Sequence, residues 1–422
     1  MVQKTAPAPT ISTRSQEQPK TSRYRELRAE LTYIGTIFLS TRIVLTLVGI
    51  IAHATLEPGY GKQFSWSKYQ WLDLWGVWDS FWYMNIVQEG YSTASAIPGS
   101  AGQTNFPFFP MYPLLMKGVG EVIGDRYFLA GLFVSNICLL VSAYLLYQLV
   151  KAERPETTYT KTTSTETASK AAASKTARRS VKFLFLFPIS FIFSGLFTES
   201  LYLCLMLICF YYAKRRRWLV VGIAGACLSA TRTLGVLIIL PMAFEYLRSI
   251  DFTWRSIDLN KFRARQDVFY LLLIPVGLLC FGLYSYQVTG DFFYFKTNQA
   301  AWGREILNPA VVLVKALVEG VKTGDAKILL ELTFTLVALI FPTVFYKKIG
   351  FAYWLLCMYS VLIPLAAGID SMARYTLPLF PLFIIFGKLS KNETWNDVLT
   401  LVFGLLQGAL MIYWCTGRSL IV

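Results

Sequence analysis

The stretch LTYIGTIFLSTRIVLTLVGIIA, residues 31–52, decides how the rest of the chain is to be interpreted. It contains 22 residues, most of them apolar, and Arg42 is its one charged residue. A helix needs about 20 mostly apolar residues to cross a bilayer, so this stretch predicts a membrane-spanning helix. A cleaved signal peptide begins earlier and has a shorter apolar core. We therefore expect a retained signal anchor that follows a basic tail, residues 1–30.

Apolar stretches of this kind recur along all 422 residues. Hydrophobic residues make up 55% of the chain and charged residues only 15%, well below the roughly 25% of a soluble domain. This composition excludes a soluble protein and predicts an all-α polytopic membrane protein with about eleven spans, several of them short or broken. Single spans are expected at 31–52, 127–150, 268–288, 328–346, 350–367 and 397–415, pairs of short helices at 181–213 and 218–247, and a short proline-containing span at 375–388.

The basic residues indicate the orientation of these spans. The chain has 40 Lys and Arg against 25 Asp and Glu, and under the eleven-span topology 27 of the 40 lie on one side and 11 on the other. Because Lys and Arg concentrate in cytoplasmic loops, the N-terminus is predicted to be cytoplasmic. Anionic lipid headgroups account for the charge of +15, and nucleic acid is not expected as a partner. Residues 31–422 form one transmembrane domain, in which the low-complexity cytoplasmic loop 151–182 is expected to be disordered or a loose helix at most.

The longest loop on the opposite side, 53–126, contains the sequence WLDLWGVWDSFWYMNIVQEGY at residues 71–91. Asp79 lies there among aromatic residues, where partial desolvation makes a carboxylate a better general base. Asp before an apolar run is also a common helix N-cap, and both interpretations remain open. Asp73 is expected to cap a helix or to be exposed. The proline-broken segment 106–124 is expected to be an interfacial or re-entrant helix.

Two ionisable residues interrupt otherwise apolar stretches. Glu199 lies in FPISFIFSGLFTESLYL, residues 187–203, and Arg232 lies in SATRTLGVL, residues 229–237. Placing such a group deep in a membrane costs on the order of 2.5–3.5 kcal/mol, so each side chain is expected to be paired or to line a wet cavity. A salt bridge between the two residues and contact with a substrate both remain open.

Arg374 lies at the outer end of a span, in GIDSMARYTLPLFPLF, residues 368–383. The planar guanidinium group suits a phosphate, although an Arg near a helix end also snorkels to the interface. The chain has no Walker loop, GxGxxG, HExxH or CxxC motif, and its cysteines lie in apolar segments, so no cofactor or metal is expected. An activated group would then have to come from the membrane itself.

Six motifs in this order resemble those of a known family. They are WDSFWYMNIVQEGY (78–91), FFPMYPLL (108–115), SFIFSGLFTESLYL (190–203), RTLG (232–235), TGDFFYFKTNQAAWG (289–303) and SMARYTLPLFP (371–381). Together they resemble the PIG-V family of mannosyltransferases, of the GPI mannosyltransferase II type, and its bacterial relatives. The family usually has Arg-Ser-Asn-Gly where this chain has Arg-Thr-Leu-Gly.

This resemblance implies a GT-C-like glycosyltransferase fold with its active site on the non-cytoplasmic face. It implies that Asp79 is the general base and that a polyprenyl or dolichyl phosphate-hexose, with mannose as the hexose, is the donor. The acceptor would be a hydroxyl of a glycolipid or glycan, and a single displacement would invert the anomeric centre. The candidate residues for substrate or phosphate binding are Arg374, Arg232, Glu199, Trp78, Trp82, Tyr83, Tyr112, Gln299, Trp302 and Tyr375.

Two other functions fit some of the same features. A lipid or solute transporter also has broken helices and intramembrane charges, but no internal repeat is evident and the charges fall at one face. A non-catalytic subunit of a membrane assembly would tolerate loss of Asp79. The bacterial plasma membrane is the expected location, or the endoplasmic reticulum in a eukaryote, and a membrane partner subunit is compatible with each function.

Overall fold

A computed structural model describes residues 20–94, 102–153, 163–250, 266–302 and 306–420, and no β-strand occurs in these ranges. The α-helices are α1 Lys20–Thr55, α2 Gln70–Asp73, α3 Ser80–Glu89, α4 Met111–Val122, α5 Tyr127–Lys151, α6 Thr163–Leu186, α7 Glu199–Ala213, α8 Trp218–Ser229, α9 Ile239–Ser249, α10 Val276–Thr289, α11 Tyr294–Thr297, α12 Pro309–Thr323, α13 Ala326–Val344, α14 Tyr346–Ile349, α15 Phe351–Leu365, α16 Met372–Thr376, α17 Phe380–Leu389 and α18 Glu393–Cys415. Short 3₁₀ helices lie at Tyr60–Lys62, Ser190–Ser194, Thr233–Ile238, Gln266–Leu273 and Asn298–Trp302.

Five helical segments in the described part of the chain are long and apolar enough to cross a membrane. They are α1 from Tyr24 onward, α5, α13, α18 and the continuous segment Gln266–Thr289. The helices α7, α8, α15 and α17 are equally apolar but shorter. The predicted all-helical fold with several short helices is confirmed, whereas the count of eleven spans stays a prediction.

The two predicted breaks occur at the two ionisable residues. The helix α6 ends at Leu186 and α7 begins at Glu199, and Arg232 lies between α8 and the 3₁₀ helix Thr233–Ile238. Gly235 lets this second turn fold back onto α8, because a Cβ atom there would lie 2.1 Å from the Leu228 carbonyl oxygen. Each break places a charged side chain where helical hydrogen bonding stops.

The predicted cytoplasmic segments meet at one end of the helix bundle. Ion pairs join them, among them Lys151–Glu30 at 2.7 Å, Arg179–Glu393 at 3.0 Å and Lys388–Glu153 at 2.9 Å. At the opposite end, the N–H of Gly59 donates to the carbonyl oxygen of Thr416 at 2.7 Å. The loop after α1 is thereby attached to the segment after α18, on the side where the predicted site residues lie.

The low-complexity loop 151–182 contains a helix, the second of the two alternatives left open for it. The helix α6 begins at Thr163 and continues through the apolar residues to Leu186. Residues 154–162 lie outside the described ranges. Ala and Lys are strong helix formers, and α6 packs against α5 and α17, which explains why the helix extends this far.

An aromatic cluster around Trp414 connects three segments that carry predicted site residues or lie next to them. Trp414 of α18 lies 5.2 Å from Phe191, 5.9 Å from Phe197 and 6.1 Å from Trp75, measured between ring centroids. Phe191 and Phe197 belong to the irregular segment that precedes α7, and Trp75 belongs to the first outer loop. One buried indole therefore joins the C-terminal helix, the first break and the loop that carries Asp79.

Candidate active site

Asp79 lies in the turn directly before α3. Its backbone occupies the N-cap position, but its side chain makes no capping hydrogen bond. Its Oδ2 atom instead lies 2.6 Å from Nη1 of Arg374, and the carboxylate side chain remains 20% exposed. The N-cap alternative is therefore wrong, and the carboxylate is paired while it stays accessible.

The residue before Asp79 is held in an unusual conformation. Trp78 has φ of +53°, in the left-handed region that bulky residues rarely adopt. Its N–H donates to the Gly61 carbonyl oxygen at 2.8 Å, and a Cβ atom on Gly61 would lie 2.4 Å from the indole ring. The backbone at Gly61 thus packs flat against the Trp78 ring. A left-handed backbone conformation at a bulky residue such as Trp78 is strained, and strained residues of this kind are typical of functional sites.

Arg374, in α16, joins the two carboxylates of the site. Its Nη1 contacts Asp79, and its Nε donates to Oε1 of Glu199 at 3.0 Å. The guanidinium carbon lies 4.8 Å from the centroid of the Phe197 ring. Arg374 is 8% exposed, so the alternative in which this side chain snorkels to the interface is wrong.

Glu199 also binds the second arginine. Its Oε1 accepts from Nη2 of Arg232 at 2.6 Å, so the two residues form the salt bridge that was one of the two open alternatives. Nε of Arg232 donates to Thr198 Oγ1 at 2.9 Å, and the guanidinium carbon lies 5.8 Å from the ring centroids of Tyr202 and Tyr375. The four charges form a row of alternating sign, from Asp79 through Arg374 and Glu199 to Arg232. Each charge has an oppositely charged neighbour, which offsets part of the free-energy cost of removing it from water.

A cavity of about 960 Å³ opens above this row of charges. Eight predicted site residues line it: Trp78, Asp79, Trp82, Tyr83, Arg232, Gln299, Arg374 and Tyr375. Glu199 is fully buried and does not line the cavity, so it acts through the two arginines that it pairs. The side chain of Trp302 lies outside the described part of the structure.

Tyr112 is placed differently from the prediction that it contacts substrate. It is fully buried, does not line the cavity, and packs against Tyr83 with ring centroids 5.2 Å apart. Its hydroxyl donates to the Gly131 carbonyl oxygen at 3.0 Å and lies 2.8 Å from Ser135 Oγ. Tyr112 therefore packs behind the Tyr83 ring, which lines the cavity. The sequence alone does not distinguish such a supporting position in α4 from a position on the cavity wall.

The interpretation of Asp73 was wrong. Its Oδ1 accepts from the N–H groups of Trp66 and Ser67, and its Oδ2 lies 2.8 Å from Nζ of Lys62. The Lys62 side chain is only 6% exposed. Burial lowers the pKa of Lys62, and the contact with Asp73 opposes this effect. The pair fixes the part of the outer loop that packs against Trp78.

The cavity also has lining residues that sequence reasoning missed. Lys296 is exposed and lines the cavity on the side of Gln299. A second wall is apolar and contains Ile306, Leu362 and Ile363, which are 77%, 39% and 49% exposed. Lys296 falls within a quoted motif, but the apolar residues carried no signal because any membrane-facing helix contains such side chains.

No family model matches the chain, and no curated protein is similar to it in sequence. The resemblance to the PIG-V family therefore stays a prediction.

Among solved structures, the chain is similar to the oligosaccharyltransferase of Archaeoglobus fulgidus. The structure with a tethered acceptor peptide is 12% identical, with a TM-score of 0.41, and the match covers 90% of this chain and 55% of that one. The complex with Zn and sulfate is 11% identical, with a TM-score of 0.42, and the match covers 90% of this chain and 53% of that one. The complex with an inhibitory peptide and a dolichol-phosphate is 11% identical, with a TM-score of 0.40, and the match covers 90% of this chain and 55% of that one. The chain spans about half the length of the solved structures that it matches.

Proposed function

We propose that the protein is an integral-membrane glycosyltransferase. It transfers a hexose from a polyprenyl or dolichyl phosphate donor to a hydroxyl acceptor, and the hexose is mannose. The observation that carries this proposal is the ion pair between Asp79 and Arg374 on the wall of one large cavity. A carboxylate and a cation side by side are the groups needed to displace a phosphate from an anomeric carbon. The six motifs support mannose and a lipid-phosphate donor.

The transfer step follows from the positions of these groups. The acceptor oxygen forms a bond to the anomeric carbon, and the hydroxyl proton passes to Asp79. The bond between the anomeric carbon and the phosphate oxygen breaks, and the electron pair leaves with the lipid phosphate. Arg374 holds the departing anion and Arg232 adds positive charge. The single displacement inverts the anomeric centre, and the two arginines supply the charge that a divalent cation would otherwise provide.

Donor binding also prepares the base. Arg374 pairs with Asp79 in the structure, and a donor phosphate competes for the same guanidinium group. Asp79 is then free to accept a proton from the acceptor hydroxyl, so the donor binds before the acceptor. The apolar wall at Leu362 and Ile363 is suited to the first prenyl units of the donor, since both side chains are apolar and partly exposed where they line the cavity.

The charge distribution supports a non-cytoplasmic active site. None of the basic residues of the predicted cytoplasmic segments that the structure describes lines the cavity, whose walls come from the first outer loop and from the segments around Arg232, Gln299 and Arg374. The acceptor is then a glycolipid or glycan exposed on the outer face of a bacterial plasma membrane, or in the lumen of the endoplasmic reticulum.

The direct test is transfer of labelled mannose from polyprenyl-phosphate-mannose by the purified full-length protein. Asp79→Asn keeps the side-chain shape but removes the base, so kcat is expected to fall by about 100- to 10,000-fold. Asp125→Asn is the matched control, because Asp125 is exposed in the same outer loop and does not line the cavity.

Three outcomes would contradict parts of this proposal. Full activity of Asp79→Asn contradicts the base assignment, and loss of transfer in EDTA contradicts the proposal that no divalent cation is needed. A donor that crosses vesicles intact would favour a transporter.

A further inference from the structure

The helix that carries Arg374 begins without a cap of its own. Ser371 precedes α16 with φ of +63°, in the left-handed region, and its side chain makes no capping hydrogen bond. The first N–H groups of a helix have no partner within the helix and need one from elsewhere. The N–H of Ala373 donates instead to Oε2 of Glu331 at 2.6 Å.

Glu331 reaches this position from α13. Lys327 lies one turn earlier on the same face of α13, and its Nζ lies 3.2 Å from Oδ1 of Asp370. The helix therefore holds the segment before Arg374 at two points, Asp370 and Ala373. Glu331 is 1% exposed, so its hydrogen bond is shielded from water.

A buried carboxylate at this position is costly. Ionisable groups within membrane helices are expensive to insert and usually have a function. The Oε1 atom of Glu331 has no hydrogen-bond partner among the described residues, so the contact to Ala373 is the side chain's one hydrogen bond there. A leucine would fill the space at lower cost, which indicates that the acceptor oxygen itself is needed.

We propose that Glu331 is a positioning residue that holds Arg374 where it meets Asp79 and the donor phosphate. This inference rests on the proposed function. Ala373 directly precedes Arg374, so a shift of its backbone moves the guanidinium group. The two contacts of that group, 2.6 Å to Asp79 and 3.0 Å to Glu199, leave little room for such a shift.

The contact itself can be tested without any activity. Hydrogen exchange of the peptide 370–377 is measured by mass spectrometry on the full-length protein in nanodiscs. Glu331→Leu is expected to speed exchange, whereas Glu331→Gln keeps an acceptor oxygen and is expected to match the wild type. Thr333→Val is the matched control, because Thr333 lies in the same helix but is exposed, and its hydroxyl donates to Leu329 and not to Glu331. Unchanged exchange in Glu331→Leu overturns the proposal.

The consequence for Arg374 is tested by kinetics with polyprenyl-phosphate-mannose, per mole of folded protein. Glu331→Leu is expected to raise the donor KM by up to about tenfold with a smaller effect on kcat, since loss of one hydrogen bond has about this size. Recovery in Glu331→Gln supports the proposal. A normal KM together with faster exchange shows a merely structural contact and overturns it. A wild-type protein that transfers no sugar contradicts the proposed function instead, and hydrogen exchange still decides whether Glu331 holds the segment.

Discussion

At the scale of single residues, the site depends on how four charges share their partners. Glu199 accepts from both arginines through one oxygen, and Arg374 also binds Asp79. Because all four groups are largely removed from water, removal of Arg374 leaves Asp79 without its ion-pair partner, and removal of Glu199 leaves Arg232 without one. The two inner charges, Arg374 and Glu199, are therefore expected to be the most sensitive to substitution.

Glu199→Gln tests this dependence. The amide cannot neutralise the two guanidinium groups, so the free energy of unfolding is expected to fall by about 3–5 kcal/mol. Thermal unfolding of the purified protein in detergent measures the change. Glu121→Gln is the matched control, since Glu121 is exposed in the outer loop and is expected to be neutral. Equal stability of the two variants would contradict a central role for Glu199 in the row.

At the scale of elements, short helices that end early bring the charges to the cavity. Glu199 begins α7 and Arg232 follows α8, so neither side chain has to leave the middle of a regular helix. The turn after Arg232 fits because Gly235 lies against the Leu228 carbonyl oxygen. The glycine of the RTLG motif thus has a steric role, whereas Leu234 lines the cavity.

Gly235→Ala is expected to displace this turn. The added Cβ atom would lie 2.1 Å from a backbone oxygen, so the backbone has to move, at a cost of about 1–3 kcal/mol. The shift also moves Arg232 and is expected to lower the rate of transfer. Gly404→Ala in α18 is the matched control, because nothing lies within 4 Å of the added Cβ atom there. A Gly235→Ala variant with wild-type stability and rate would show that the turn tolerates the side chain.

At the scale of the whole molecule, the two ends of the helix bundle have different chemistry. Ion pairs such as Lys151–Glu30 and Lys388–Glu153 join the segments at the basic end. The other end has the aromatic outer loop, the cavity and the charge row. Such a division fits a protein that is anchored by cytoplasmic basic residues and reacts with substrates on the other side.

Labelling of single cysteines tests this orientation. In a background with the exposed Cys280 replaced by serine, an impermeant maleimide is added to intact cells. The Glu121→Cys variant is expected to react at once, and Lys175→Cys only after permeabilisation, because both positions are exposed at opposite ends. The reverse pattern would place the cavity on the cytoplasmic side.

Much of this architecture was predictable from local patterns. Long apolar stretches indicated membrane-spanning helices, and an isolated charge within such a stretch indicated a break, because burial of an unpaired charge is too costly. Asp79 was a candidate because a carboxylate among aromatic residues is partly desolvated, and Arg374 because its guanidinium group suits a phosphate. For the low-complexity loop, local patterns left disorder and a loose helix open, and packing against neighbouring helices favours the helix α6.

The partners of the charges could not be predicted in this way. Arg374 and Asp79 lie almost 300 positions apart, and nothing in either motif indicates that they form one ion pair. The buried position of Tyr112 and the contact of Glu331 with Ala373 are equally non-local. Hydrophobicity and helix breaks depend on neighbours along the chain, so the sequence suffices for them. Ion pairs and cavity walls depend on which helices pack together, and only the tertiary structure decides that.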